Sequence, residues 1–219
     1  MGHQDFERYA EQRLMNGVVA GKYNSFFVEN VFPALKKNFR ALDYGCGDGK
    51  YFSYFNQFTH KDNIYGIEIS QTRVRRCHQL GWNNVFKVGN FECLPFPDAF
   101  FDLINFDQVI EHIRFEDIPF YLHELNRVLV NGGLIVILTP NYPIKRFYDM
   151  YSAFIKRNIL RIKDDPTHVT RYNFKKLKNL LSNYFNILKL EPTGGFIWEK
   201  LNYNFFSCKI IGLLQKRCQ

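Results

Sequence analysis

The sequence predicts an α/β fold built on a doubly wound, mostly parallel sheet. Segments with strand character alternate with segments of helical character from about residue 40 to residue 138, an alternation typical of parallel sheets covered by helices on both faces. The almost unbroken aliphatic run from Leu134 to Leu138 fits a strand that is buried on both sides. No repeat, low-complexity tract or Ser/Gly-rich linker divides the 219 residues, so we expect one domain.

The first predicted element is a helical stretch from about Asp5 to Lys37, in which Pro33 is expected to bend or split the helix. Short strands and helices then alternate. The predicted strands are 40–44, 63–69, 84–88, 101–106 and 134–138, and the predicted helices between them are 51–58, 71–80 and 115–130. Gly132 and Gly133 are expected to form a turn between the last of these helices and the strand that follows.

Beyond Pro140 the alternation becomes less regular. Residues 144–162 and 173–183 are predicted to be helical, and residues 186–190 to form a strand. The segment 207–216 is ambiguous. We favour a closing antiparallel strand, and the alternative is a basic amphipathic helix that lies on a membrane or a partner.

Charge is distributed unevenly along the chain. Residues 1–143 hold 14 Lys+Arg and 16 Asp+Glu, whereas residues 144–219 hold 15 and 5, so the two parts carry net charges of −2 and +10. The basic part could steer an anionic substrate, a nucleic acid or an acidic membrane surface, and an ordinary solvated face explains it equally well.

Composition also bears on the compartment. The chain has no run of eighteen apolar residues, and its first thirteen residues are polar and charged. We therefore expect neither a membrane span nor a secretory signal, and a cytoplasmic location. The five cysteines are scattered and never spaced as C-x-x-C, which predicts reduced thiols and no cysteine-built zinc site.

A glycine loop, Gly45-Cys46-Gly47-Asp48-Gly49, follows the first predicted strand and opens the next helix. Glycines at such a place let the backbone approach a ligand closely. The loop departs from the dinucleotide fingerprint G-x-G-x-x-G, because the third glycine arrives one residue early and Lys50 takes its place. Asp48 would also put a carboxylate beside a pyrophosphate. NAD therefore fits poorly, whereas a positively charged ligand without phosphates would be attracted by Asp43 and Asp48.

Together with the preceding aspartate, the loop resembles the first motif of the class I S-adenosylmethionine-dependent methyltransferases, Asp43-x-Gly45-x-Gly47-x-Gly49. The resemblance continues in order and spacing from about residue 40 to residue 190. The further matching segments are Glu68, 89–96, 101–112, 125–133 and 139–141. The resemblance implies a seven-stranded, Rossmann-like methyltransferase fold with N-terminal helices and a helical insertion late in the chain.

The same resemblance implies how a single domain over residues 1–219 is divided. Residues 1–38 would be an N-terminal helical cap, residues 39–140 the cofactor-binding core, and residues 141–219 the acceptor-side helices and closing strands.

The resemblance further implies that S-adenosylmethionine is the methyl donor and S-adenosylhomocysteine the product. Glu68 would bind the ribose hydroxyls, since a carboxylate can accept a hydrogen bond from each of them. Asn90 and Phe91 would contact the adenine, with Asn90 standing where many members carry Asp. The residues implied for cofactor binding are Asp43, Gly45, Gly47, Gly49, Glu68, Asn90, Phe91 and Asp107.

Candidate catalytic residues come from the chemistry of the transfer. Aligning the acceptor with the methyl group is the main requirement, and a base becomes useful when the nucleophile is a hydroxyl. Of the six histidines, His112 follows the fourth predicted strand and His168 lies in a loop before a helix. We predict that these two assist the acceptor, while stacking, capping or plain burial is the alternative.

The sequence thus predicts an S-adenosylmethionine-dependent methyltransferase that modifies an oxygen, less favourably a nitrogen, of a small organic acceptor. It resembles the small-molecule O-methyltransferases of the ubiquinone-biosynthesis type. Aromatic residues beyond Pro140 favour an acceptor with a ring or lipid portion. The residues named for the acceptor pocket are Trp198, Tyr203, Phe205 and Phe206, and those named for a lid over the methionine end are Tyr9, Arg13 and Tyr23.

Two alternatives stay open. Gln108-x-x-Glu111-His112 with His168 resembles the metal motif of small-RNA 2′-O-methyltransferases, but a neutral Gln108 replaces the first Glu. We therefore assign no metal site and keep metal binding by Glu111, His112 and His168 as a hypothesis. An RNA partner is the first alternative, and a non-catalytic cofactor-binding subunit is the second. The basic last third is also compatible with peripheral membrane contact, while the acceptor and the oligomeric state stay open.

Overall fold

A seven-stranded sheet forms the centre of the protein. The computed structural model describes residues 7–8, 10–11, 21–155, 165–193 and 207–217. The strands are β1 (Ala41–Tyr44), β2 (Ile64–Glu68), β3 (Val85–Lys87), β4 (Phe101–Asp107), β5 (Leu129–Pro140), β6 (Phe185–Thr193) and β7 (Lys209–Lys216). Their order is β3-β2-β1-β4-β5-β7-β6. Strands β1 to β5 pair in parallel, and β7 pairs antiparallel with both β5 and β6. This confirms the predicted doubly wound, mostly parallel sheet.

Six described helices flank the sheet. They are α1 (Gly21–Phe26), α2 (Phe52–Phe55), α3 (Gln71–Gln79), α4 (Ile118–Val128), α5 (Ile144–Ile155) and α6 (Phe174–Leu181). A π-helical turn, Phe27–Val31, and a 3-10 turn, Phe32–Ala34, continue α1. Pro33 lies in that last turn, as expected from the break it imposes on helical hydrogen bonding. None of the helices in the described ranges has the length and apolarity needed to cross a bilayer.

The turn predicted at Gly132 and Gly133 is wrong. Helix α4 ends at Val128, and β5 begins at the next residue and continues through both glycines. Gly132 has a φ of 75°, and the pairing with β4 shifts from Phe101–Leu129 to Leu103–Leu134. The glycines therefore lie in an irregularity of β5. This irregularity accommodates the residues of β5 that have no partner on β4.

The ambiguous segment near the end of the chain is a strand. In β7, Lys209 pairs with Pro140 of β5 and with Thr193 of β6. Its apolar run Ile210–Leu214 is buried, which fits a strand that has neighbours on both sides. The closing antiparallel strand is confirmed, and the alternative of an amphipathic helix is wrong.

The core has two layers, one on each face of the sheet. On β5, Ile135 faces one layer and Val136 the other, because successive side chains of a strand point to opposite faces. The first layer includes Leu125 of α4 and Leu177 of α6, and the second includes Phe52 of α2 and Val74 of α3. With both faces covered, the exposed edge at the carboxyl ends of the strands is left for ligands.

Candidate functional site

Three acidic side chains that the family resemblance implies for cofactor binding lie on neighbouring strands at one edge of the sheet. Asp43 is on β1, Glu68 ends β2 and Asp107 ends β4. Strand β1 pairs with β2 on one side and with β4 on the other. The chain runs outward from β1 through β2 to β3 and then returns to the opposite side of β1 as β4, so the strand order reverses at β1. Open α/β sheets bind ligands at such a point, outside the carboxyl ends of the strands.

The glycine loop between β1 and α2 is held against the end of β2. The backbone amides of Gly45 and Cys46 both donate to the carbonyl oxygen of Ile67, at 2.9 and 3.0 Å. Gly45, Gly47 and Gly49 have φ values of 73°, 57° and 80°, a region that residues with a side chain rarely occupy. A Cβ added to Gly45 would lie 2.8 Å from Cγ2 of Val109. The loop therefore requires glycine for conformation and for space.

Glu68 fastens this loop to the start of α3. Its Oε2 accepts from the backbone amide of Gly47 at 2.9 Å, and its Oε1 accepts from that of Ser70 at 3.0 Å. Arg73 lies 4.0 Å from Oε2. Burial raises the pKa of Glu68, an effect opposed by the hydrogen bonds and by Arg73. The ribose contact implied for Glu68 stays a prediction, and the structure adds a positioning role that the sequence analysis missed.

Asp43 is buried between β1 and β4 and does not cap a helix. Its Oδ1 accepts a hydrogen bond from Nδ2 of Asn105 at 2.8 Å, while its Oδ2 has no partner among the described residues. Burial raises the pKa of Asp43 to about 7, with Asn105 opposing and Asp107 adding to the increase. Asn105 is not among the residues predicted from the sequence, although a polar amide in the middle of the apolar strand β4 is a signal that could have identified it.

Asp107 is positioned by the residues that follow the glycine loop. The hydroxyl of Tyr51 donates to Oδ2 of Asp107 at 2.6 Å, and Nζ of Lys50 lies 3.9 Å from the same atom. The other carboxylate oxygen, Oδ1, is buried without a hydrogen-bond partner in the described part of the chain. Asp43 and Asp107 lie on neighbouring strands, and each has one buried oxygen without a hydrogen-bond partner in the described ranges. Two such acceptors fit a ligand that donates hydrogen bonds and carries positive charge.

Asn90 and Phe91 lie beyond β3, where the resemblance places the adenine. Phe91 has a φ of 60° and is 48% exposed. Its ring lies 5.8 Å from the ring of Phe120 and 5.9 Å from that of Tyr121. The Tyr121 hydroxyl is within 3.5 Å of Oδ1 of Asn90. This exposed aromatic surface is suited to stacking with a flat ring.

His112 and His168, the two histidines predicted to assist the acceptor, meet edge to face, with their ring centroids 5.0 Å apart and their planes at 70°. Nδ1 of His112 lies 3.1 Å from the carbonyl oxygen of Thr167. Because a carbonyl only accepts, this contact requires a hydrogen on Nδ1 and leaves a lone pair on Nε2. Burial lowers the pKa of His112. Nδ1 of His168 lies 2.8 Å from the hydroxyl of Tyr142, a residue that the sequence analysis did not name.

Glu111 adds a third titratable group beside the two histidines. It is fully buried, its Oε2 accepts from the Thr139 hydroxyl at 3.0 Å, and its Oε1 has no partner within the described ranges. Burial raises the pKa of Glu111 to about 8, and the nearby charge of Asp107 adds to the increase. The carboxyl group is therefore able to hold a proton near neutral pH.

Comparison with known proteins identifies the family. The chain matches a methyltransferase domain family over residues 42–137. It is 32% identical over 192 residues to the ubiquinone/menaquinone biosynthesis C-methyltransferase UbiE of Psychromonas ingrahamii, covering 82% of this chain and 71% of that relative. The chain belongs to the S-adenosylmethionine-dependent methyltransferases. An uncharacterized methyltransferase of Schizosaccharomyces pombe is 33% identical over 112 residues, which are 46% of this chain and 40% of that protein. The chain thus spans less than half of that relative's length.

A solved structure agrees on the fold. A SAM-dependent methyltransferase from Archaeoglobus fulgidus superposes with a TM-score of 0.63 at 20% identity, covering 88% of this chain and 92% of that one. S-adenosylmethionine is the cofactor that membership of the methyltransferase family implies. The unsatisfied oxygens of Asp43 and Asp107 and the glycine loop fit its positively charged methionine end.

The methyltransferase also has a group of side chains that could hold a metal ion. One ligand atom from each of Glu111, His112 and His168 lies within 4.8 Å of the others. The free Oε1 of Glu111 and the Nε2 lone pair of His112 are suitable donors for a divalent ion. The neutral Gln108 lies in the same segment with a φ of 56°. The three residues fit a metal, and metal binding stays a hypothesis.

An N-terminal segment of the methyltransferase contacts helix α3 beside the glycine loop. Both carboxylate oxygens of Glu7 accept hydrogen bonds at the start of α3, including one from the Gln71 amide at 2.6 Å and one from the Ser70 hydroxyl at 2.9 Å. Arg76 donates to the carbonyl oxygen of Ala10 at 2.7 Å and pairs with Asp48 at 3.3 Å. Tyr9, Arg13, Trp198, Tyr203, Phe205 and Phe206 lie outside the described residues, as does the side chain of Tyr23.

Proposed function

We propose that this methyltransferase transfers the methyl group of S-adenosylmethionine to an oxygen of a small organic acceptor that carries a hydroxyl. The observation that supports this most directly is the arrangement of His112, whose Nδ1 faces a carbonyl oxygen and whose Nε2 is left to accept a proton. His168 and Glu111 line the same region. A nitrogen acceptor is less favoured because a neutral amine needs no base before it attacks.

When bound, S-adenosylmethionine would supply the methyl group to the acceptor oxygen, would keep the electron pair of the broken carbon–sulfur bond on sulfur, and would leave as S-adenosylhomocysteine. The chain's own residues align the partners and accept one proton. Nε2 of His112 takes the hydroxyl proton, while the Thr167 carbonyl oxygen keeps the ring oriented through Nδ1. Tyr142 orients His168 through the contact between its hydroxyl and Nδ1. Such a base contributes about 10² to 10⁴ in rate.

The experiment that tests this proposal measures S-adenosylhomocysteine release over a panel of phenols, sugars, lipids and short RNAs. We expect turnover with a small hydroxyl compound and an oxygen-bound methyl group in the product, seen by NMR. A carbon-bound methyl group would contradict the oxygen assignment. This outcome is the important one to exclude, because the Psychromonas relative is named a C-methyltransferase. Cofactor binding without transfer to any acceptor would instead favour the non-catalytic subunit.

Replacing the base gives the first prediction. His112→Gln should lower kcat by about 10² to 10⁴ with little change in cofactor affinity, because the residue acts on the acceptor proton and not on the donor. His60→Ala is the matched control, since His60 has an exposed side chain in a turn before β2. Equal kcat for His112→Gln and the parent protein would remove His112 from the mechanism.

A second candidate function is supported by the Glu111, His112 and His168 group together with the net charge of +10 on residues 144–219. An RNA acceptor would use basic residues to bind phosphates. Its affinity should then fall steeply with salt, whereas a neutral small acceptor should show little salt dependence.

A titration of Mn²⁺ or Mg²⁺ that leaves both the activity and the melting temperature unchanged would contradict the metal hypothesis. The single domain and the cytoplasmic location stay predictions.

A further inference from the structure

Helix α5 presents a stripe of large apolar side chains to solvent. Phe147, Met150, Tyr151 and Phe154 are 69, 53, 49 and 82% exposed. Their spacing places all four within an arc of about 100° around the helix. Ala153 of the same helix is buried, so the helix packs on the protein through another side. We call these four side chains the α5 face.

The α5 face differs from the scattered apolar residues found on most protein surfaces. Within the described ranges, no other helix carries more than one exposed large apolar side chain. The remaining exposed ones, such as Leu80, Phe115 and Leu188, lie on separate parts of the fold. A contiguous exposed apolar stripe marks an interaction surface, whereas single exposed residues need no explanation.

The charge around this helix indicates which partner fits. Lys145 in the first turn of α5 pairs with Asp149 of the same helix at 2.6 Å, so the basic character beside the α5 face comes from Arg146 and from the sequence that follows. In the sequence, positions 156–163 directly after the helix add four basic residues and no acidic one, and residues 144–219 carry a net charge of +10. Apolar side chains accompanied by basic ones are typical of segments that bind the surface of an anionic bilayer. A second copy of this chain would bring like charge to the same contact.

The α5 face is also close in the chain to the histidines that are proposed to contact the acceptor. Helix α5 begins four residues after Pro140 at the carboxyl end of β5, and Tyr142 between them contacts His168. We propose that the α5 face docks on an anionic lipid bilayer and that the acceptor is an amphiphile taken from that bilayer. The second part of this proposal rests on the proposed function, and the first part does not.

The docking is tested by co-sedimentation of the full chain with vesicles. The vesicles are phosphatidylcholine alone or an equal mixture of phosphatidylcholine and phosphatidylglycerol. The parent protein should bind the mixed vesicles, and binding should weaken as salt rises. The double variant Phe147→Ser and Phe154→Ser should bind at least about tenfold more weakly, because two large side chains no longer enter the interface. The control, Leu80→Ser with Leu188→Ser, should bind as the parent does.

Three results would overturn the docking. The first is equal binding of the parent and the α5 variant, and the second is no binding of the parent to the mixed vesicles. The third is sedimentation velocity in which the parent is a dimer and the α5 variant a monomer without vesicle binding, which would make the α5 face a contact between two copies.

Two further measurements separate this inference from the proposed function. Calorimetry with S-adenosylhomocysteine should give the same affinity for the parent and the α5 variant, which shows that the variant is folded. If a hydroxyl amphiphile in the vesicles is methylated by the parent and by the control but poorly by the α5 variant, the membrane acceptor is supported. Vesicle binding without transfer to any acceptor would contradict the proposed function and leave the docking intact. Equal transfer by the α5 variant from vesicles would overturn the membrane acceptor.

Discussion

Single buried carboxyl groups determine much of the chemistry at the cofactor edge. Asp43 is 2% exposed, and within the described part of the chain its two oxygens share one hydrogen-bond donor, Nδ2 of Asn105. A carboxylate in that environment is costly, so burial raises the pKa of Asp43 to about 7 and the protonated form predominates below that pH. A bound cation would reverse that preference. Cofactor affinity should therefore increase as the pH rises through 7.

Asp43→Asn tests this effect on stability. The pKa of Asp43 rises from 3.8 to about 7 on folding, so its contribution to stability is fully present below pH 3.8 and is lost as the pH rises through 7. Asparagine does not titrate. The variant should resemble the parent near pH 4 and be more stable at pH 8, by up to about 4 kcal/mol. Urea unfolding at several pH values measures the difference. Asp62→Asn, at an exposed position, is the control, and identical pH profiles for Asp43→Asn and the parent would contradict the assignment.

Glu68→Ala tests the loop and the cofactor together. The substitution removes the acceptors of the Gly47 and Ser70 amides and the acid expected to bind the ribose. We expect cofactor affinity to fall by about 1 to 3 kcal/mol, the cost typical of lost hydrogen bonds to a charged group. Calorimetry with S-adenosylhomocysteine measures it. Glu29→Ala, at an exposed residue of the turn after α1, should bind normally, and unchanged affinity for Glu68→Ala would remove Glu68 from the site.

At the scale of elements, the start of α3 connects three parts of the chain. The Ser70 hydroxyl accepts from the Arg73 amide at 3.3 Å and donates to Glu7 at 2.9 Å. The backbone amide of Ser70 donates to Glu68. This helix end therefore joins the N-terminal segment to the glycine loop, and a carboxylate such as Glu7 is favoured there by the positive end of the helix dipole.

Removing this cap should affect more than the stability of α3. Ser70→Ala should cost about 1 kcal/mol of unfolding free energy, the usual effect of losing an N-cap, and should also weaken cofactor binding. Asn173→Ala is the matched control, because Asn173 caps α6 through the Lys176 amide at 2.8 Å. It should lose a similar unfolding free energy and bind the cofactor normally. Urea unfolding and calorimetry on both variants give the comparison, and normal cofactor affinity in Ser70→Ala would show that the cap is purely structural.

The elements that follow from local pattern were predicted well, and those set by distant contacts were not. Strands β1 to β4 and helices α3 and α6 lie within a few residues of their predicted bounds, because hydrophobic alternation and Ser70 or Asn173 mark them locally. The irregularity at Gly132 depends on the register against β4, which no local signal contains. At the site, the glycine loop could be predicted from the sequence. The Tyr51–Asp107 and Asn105–Asp43 contacts could not be predicted, because they join residues 56 and 62 positions apart.

For the whole molecule, the cofactor should act as a stabilising ligand. The carboxyl ends of β1, β2 and β4 and the start of α3 all meet at its expected site. A ligand that binds there only in the folded state raises stability by mass action. The bound ligand should raise the free energy of global unfolding, and not only that of a local opening, because both core layers pack on these same strands.

Thermal unfolding with ligands tests this at the scale of the fold. S-adenosylhomocysteine at one hundred times its Kd should add about 2.7 kcal/mol to the unfolding free energy and raise Tm, whereas NAD at the same concentration should not. The Glu68→Ala variant should show a smaller shift at that concentration. A shift with NAD and none with S-adenosylhomocysteine would contradict the identity of the ligand.

The insertion of β7 between β5 and β6 has a consequence for synthesis on the ribosome. The emerging polypeptide makes β6 before β7, yet β6 has no neighbour in the sheet until residues 209–216 arrive. Until then the flank of β5, with its aliphatic run, stays open and can pair with another nascent chain. Translation that stalls before Lys209 should therefore yield aggregates, and chaperones that shield open strands should associate with this intermediate.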